Sequence, residues 1–139
     1  MKTLGTLIKL ATAEVDEKRL VLRAEQERED AIKAALADLE AGLAVEQQTA
    51  GELGEAAYAY PAFGAAAKRR REALQEDLLR AGAAVETARD ALSVSFERQK
   101  RYEITDAGRR RRDAADLRRR ETIDADERSL QRHSRRGRR

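Results

Sequence analysis

Cysteine is absent from this chain of 139 residues, tryptophan is absent, and there is a single histidine, His133. Disulfides, thiolate catalysis and cysteine-based zinc sites are therefore excluded, and the usual general base and metal ligand is reduced to one residue. Only one proline, eight glycines and 4% aromatic residues are present. Turn punctuation is too sparse for a β-sandwich or barrel, and aromatic mass is too small for a broad globular core. What fills the sequence instead is Ala, Leu, Glu and Arg, with 40% of residues charged. That composition belongs to long helices and coiled coils.

No apolar run approaches the roughly 20 residues that cross a bilayer. Leu4, Leu7, Ile8 and Leu10 after Lys2, followed by Ala11-Thr12-Ala13, imitate a signal peptide. Lys9 interrupts the run and leaves it too short. A cytoplasmic protein is expected. The net charge of +3 hides a polarity: residues 98 to 139 hold 16 Lys or Arg against 8 Asp or Glu, leaving 13 against 18 for the remainder. A basic arm thus follows an acidic-leaning scaffold, and its charge would attract nucleic acid, anionic lipid or an acidic protein surface.

Alternating steps of three and four residues mark a helix with one seam against a partner. From Leu4 this register visits Ile8, Ala11, Val15, Lys18, Leu22, Glu25, Glu29, Ile32, Leu36, Leu39 and Leu43, apolar at nine of twelve positions. A second runs through Ala67, Arg71, Leu74, Leu78, Ala81, Val85, Ala88, Leu92, Ser95, Gln99 and Tyr102, apolar at eight of eleven. Phe96 lies just off that line. Beyond Tyr102 only Ile104, Leu117, Ile123 and Leu130 remain, irregularly spaced, so poorly packed helix is expected there.

Gly51, Gly54, Pro61 and Gly64 concentrate the helix breakers between the two registers. The expected organisation is a single all-α coiled-coil domain over 1–139: a helix over 3–49, a loop over 50–60, a helix over 61–132 and a frayed tail over 133–139. Neighbouring elements usually pack together, which gives a long antiparallel two-helix hairpin. At about 1.5 Å per residue the arms measure roughly 70 and 100 Å, so the second carries an extended, basic C-terminal overhang. A parallel dimer of long helices would use the same seams; a monomeric hairpin is the preferred reading, because the loop signal is strong.

Catalytic constellations are wanting. No Gly-Lys-Ser/Thr phosphate loop occurs, and Gly51-Glu-Leu-Gly54 has the spacing of an RNA-binding loop without the sheet that supports one. Ser93 and Ser95 have no histidine near them in sequence, and His133 sits in the arginine-rich tail. Glu14, Glu17, Glu25 and Glu29 read as a solvated face with Lys18 and Arg28, since a helix pair offers no pocket to tune their acidity. No enzyme activity, cofactor or metal is expected.

Two features remain as candidate partner-binding sites. The runs Lys68 to Arg71, Arg109-Arg110-Arg111-Arg112 and Arg118-Arg119-Arg120 each span about one turn and spread charge around the helix. They serve either as a solubilising surface balanced by Glu72, Asp113, Asp116 and Glu121, or as a footprint for an acidic partner. Specific nucleic acid is not expected, because carboxylates interrupt the runs and no aromatic residue follows position 102. Tyr58, Tyr60 and Phe63 flank Pro61 at the hairpin tip, where they either staple the turn or form an apolar docking patch.

The early segment Leu4-Gly-Thr-Leu-Ile-Lys-Leu, the following Glu14-Val-Asp-Glu-Lys-Arg-Leu and the later Phe96-Glu-Arg-Gln-Lys-Arg-Tyr-Glu103 resemble the FliJ family of flagellar type III export. The likeness spans nearly the whole chain. It implies an antiparallel coiled coil shaped like the central stalk of rotary ATPases, inserted by the end bearing both termini into the hexameric ring of the export ATPase. Contact with the membrane export gate and a part in recycling export chaperones are implied with it, at the cytoplasmic face of the inner membrane. The rival reading is a coiled-coil adaptor whose arginine arm binds nucleic acid or an anionic membrane surface.

Overall fold

A computed structural model describes residues 3–53 and 60–137, with the side chains of 53, 60 and 61 left aside. Two helices account for nearly all of it, α1 (Leu4–Leu53) and α2 (Tyr60–Gly137). They pack on each other as an all-α helical hairpin, with no strand among the described residues.

Local chemistry explains where each helix begins. Thr3 caps α1: its Oγ1 accepts a hydrogen bond from the Thr6 amide at 3.2 Å, while its carbonyl takes the Leu7 amide at 3.0 Å. Pro61 falls in the first turn of α2, where the missing amide proton costs nothing. The helices outrun the expected limits. α1 continues past position 49 through Gly51 to Leu53, since one exposed glycine costs only about 1 kcal/mol and breaks nothing by itself. α2 continues through His133 to Gly137, with Arg135 and Arg136 favourably placed against the negative end of the helix dipole. Of the expected loop, 54–59 lie outside the described residues.

Two compact units make up the chain, one of Ala13–Phe96 and the other of Met1–Thr12 with Glu97–Arg139. In the first, Glu40 meets Arg71 at 3.8 Å, Glu29 lies beside Gly82, and the Arg19 guanidinium covers the Phe96 ring at 5.0 Å. Rising positions on α1 thus match falling positions on α2, so the two run antiparallel there. Its core is thin. Val15, Ala67, Leu74, Ala81, Val85 and Ala88 are the buried apolar residues, and half of these are alanine. Ser95, only 1% exposed, spends its hydroxyl on the Ala91 carbonyl at 3.1 Å and so adds no orphaned donor. In the second unit Gln99 donates to the Thr12 hydroxyl at 3.1 Å, joining the two helices beside half-buried Ile8 and Tyr102.

Of the carboxylates read as a solvated face, Glu17 is exposed, whereas Glu14, Glu25 and Glu29 are a correction. Glu25 and Glu29 lie in the seam with side chains only 22% exposed. Lys18 and Glu14 are half-buried. The heptad step takes precedence over residue polarity here: with apolar neighbours one turn away on either side, these positions face the partner whatever they carry. Arg28 approaches Glu25 at 3.6 Å, too far for a hydrogen bond, so Glu25 Oε2 is buried without a donor. Opposite Glu29 the partner residue is Gly82, whose added Cβ would sit 3.4 Å from Glu29 Oε2, an ordinary contact with the movable end of a side chain. Gly82→Ala is therefore expected to stabilise the protein by about 0.5–1 kcal/mol through helix propensity. A thermal melt followed by circular dichroism checks this; a lowered midpoint would mean that Glu29 cannot give way.

Candidate functional site: the arginine-rich end of α2

From Arg109 to Gly137 every residue of α2 is exposed. Coverage ends just before, at Tyr102, Asp106 and Gly108, which are half-buried. With Gln99 opposite Thr12, Leu4 at the start of α1 lies level with about Ala107, so α1 covers α2 no further. Continuing the α2 seam beyond Tyr102 gives Asp106, Arg109, Asp113, Asp116, Arg120 and only then Ile123, Glu127 and Leu130. Charges take most of the seam positions in this uncovered stretch. Ile104, Leu117, Ile123 and Leu130 are 52–68% exposed, as their irregular spacing predicted.

The arginines of this stretch differ in how they are held. Arg110 Nε pairs with Asp106 Oδ2 at 3.0 Å, one turn back. Arg119 Nη2 pairs with Asp116 Oδ1 at 2.8 Å. Arg118 Nε turns to the Ala114 carbonyl at 3.4 Å. Arg112 folds back over Gly108, its Nη1 3.9 Å from where a Cβ would lie. Among the described residues Arg109, Arg111, Arg112 and Arg120 form no ion pair. Exposed pairs of this kind contribute only about 0.3–0.5 kcal/mol each, so they restrain the side chains without locking them.

Other candidate residues are dispersed. In the run Lys68 to Arg71, Arg71 turns into the seam, and its Nε is buried without a hydrogen bond. Tyr58 lies outside the described residues, as does the side chain of Tyr60, so their grouping with Phe63 lies there too. Phe63 itself is 43% exposed. His133 lies in the exposed end of α2 beside Asp126, Ser129 and Leu130, on an open groove. No group of His, Cys, Asp or Glu among the described residues is arranged to hold a metal. No described helix is long and apolar enough to cross a membrane.

The described residues form an all-α protein of two packed helices with an uncovered, arginine-rich end. The family model described as flagellar FliJ protein matches residues 1–138, and the chain belongs to that family. Its role is accordingly in flagellar export. No curated protein and no solved structure gives a significant match.

Proposed function

We propose that the protein is a noncatalytic coupling element of flagellar export, which engages the hexameric export ATPase through the basic end of α2. The observation that carries this reading is the stretch from Arg109 to Gly137: uncovered, net basic, and part of a chain that belongs to a flagellar export family. Clustered charge of one sign on an uncovered helix speeds encounter with an oppositely charged surface and fixes its orientation. The membrane export gate and export chaperones are its further partners in this reading, and its place of action is the cytoplasmic face of the inner membrane.

Addition of the protein to its cognate export ATPase is expected to raise the rate of ATP hydrolysis. Replacing Arg109, Arg110, Arg111 and Arg112 by glutamine is expected to raise the concentration needed for half the effect by about tenfold or more, from loss of several charge contacts at roughly 0.5 kcal/mol each. An unchanged ATPase rate with either protein overturns the proposal. Nuclease-sensitive capture from lysate, with affinity falling steeply as salt rises, would favour a nucleic-acid adaptor instead.

A further inference from the structure

The charges of the uncovered helix are sorted by side. At about 100° per residue, Arg111, Arg112, Arg118 and Arg119 fall within an arc of about 120° whose middle lies about 140° around α2 from the continued seam. Every carboxylate between positions 103 and 124 falls outside the half of the helix centred on that arc: Glu103, Asp106, Asp113, Asp116, Glu121 and Asp124. One side of the helix therefore holds four guanidinium groups and no carboxylate over about two heptads. Only Arg119 reaches a carboxylate, Asp116, around the flank.

The same side has a repeat in its shape. Gly108 precedes Arg111 and Arg112, and Ala115 precedes Arg118 and Arg119, with the same offsets of three and four. Seven residues separate the two units, about 10.5 Å along the axis. Each unit is a low spot in the helix surface beside two long cationic side chains; in the first, Arg112 Nη1 lies 3.9 Å from where a Cβ on Gly108 would sit. Small residues at heptad spacing let a second backbone come close, and flanking arginines then reach carboxylates on it in two-pronged geometry.

We infer that this side of α2 is a docking face for an acidic helix, one bearing small residues towards Gly108 and Ala115 and carboxylates at heptad spacing towards the two arginine pairs. A helix repeats at the spacing of the arginine pairs. A nucleic-acid strand is a poorer match, since no aromatic residue is present to stack on its bases and Glu103 and Glu121 border the strip. The inference concerns the chemistry of the partner surface and does not depend on the ATPase reading.

The test uses the full chain and a capped four-heptad peptide with alanine and glutamate at the two facing positions, its helicity confirmed by circular dichroism. Binding is measured by fluorescence anisotropy at moderate salt. The double variant Arg111→Glu/Arg118→Glu is expected to weaken binding by about tenfold or more, whereas Arg109→Glu/Arg120→Glu, of equal net charge but on the opposite side, changes it by less than about threefold. Ala115→Leu is expected to weaken binding with no change of charge. Equal losses from the two double variants would reduce the effect to overall charge and overturn the assignment. So would tighter binding of single-stranded or duplex DNA than of the peptide at the same salt. A dimer of the protein alone that Arg111→Glu/Arg118→Glu dissociates would assign the face to a second copy and overturn the foreign partner. Loss of ATPase stimulation with peptide binding intact would strike the export reading and leave this one standing.

Discussion

Replacing Val15 by aspartate is expected to cost about 3 kcal/mol or more and to disrupt helix pairing, whereas Leu79→Asp should fall within about 0.5 kcal/mol of the parent. Val15 is 1% exposed and Leu79 77% exposed, although both are aliphatic residues on long helices of similar composition. The difference in effect follows from the thin core. With so few buried apolar side chains, several of them alanine, there is little reserve to absorb an unpaired buried carboxylate. Denaturant titrations followed by far-ultraviolet circular dichroism measure both variants. Similar losses from Val15 and Leu79 would show that helix propensity, and not the seam, holds the protein together.

A change of opposite sign is expected from the polar stretch of the seam. Glu25→Leu combined with Glu29→Leu should add about 2 kcal/mol of stability. Each side chain is nearly four-fifths covered, so an aliphatic replacement gains buried apolar area at roughly 25 cal/mol per Å². The change also removes a buried oxygen without a donor and a like-charge pair one turn apart. The ion pairs given up, Arg28 to Glu25 and Lys33 to Glu29, have largely exposed cationic partners and offer little to lose. Because the two positions adjoin, single and double variants belong in one thermodynamic cycle. A double variant no more stable than the parent would mean that Gly82 and its neighbours leave no room for leucine.

Much of the fold was legible in the sequence because a heptad seam is a one-dimensional signal. All twelve positions of the register from Leu4 to Leu43 are buried or half-buried, and so are all eleven from Ala67 to Tyr102. Even Lys18, Glu25, Arg71 and Gln99 obey it. Polarity misleads at Glu25 and Glu29 only when it is weighed ahead of spacing. Helix ends were less legible: Gly51 reads as a breaker, yet its cost is small beside the bonds that continue around it. Phe96, one step off the seam, is 39% exposed under Arg19, an arrangement that depends on a side chain from the other helix.

At the candidate site the sequence showed the arginines and missed their asymmetry. The runs 109–112 and 118–120 do wrap the helix. The information lay in the carboxylates between them, which follow the seam register onward from Tyr102 through Asp106, Asp113 and Asp116. Projecting all six carboxylates from Glu103 to Asp124 onto the helix, and not the arginines alone, would have found the carboxylate-free side.

Amide protons between Arg109 and Gly137 have no tertiary shelter, and a helix without a packed face lacks the main source of helical stability in proteins. Its hydrogen-bond ladder opens more readily than segments closed by the seam. Docking must therefore meet the entropy of ordering at each encounter, which lowers affinity while leaving long-range charge attraction to set the arrival rate. A contact built this way arrives fast and leaves fast, so its strength is set by how long the helix stays ordered after each arrival.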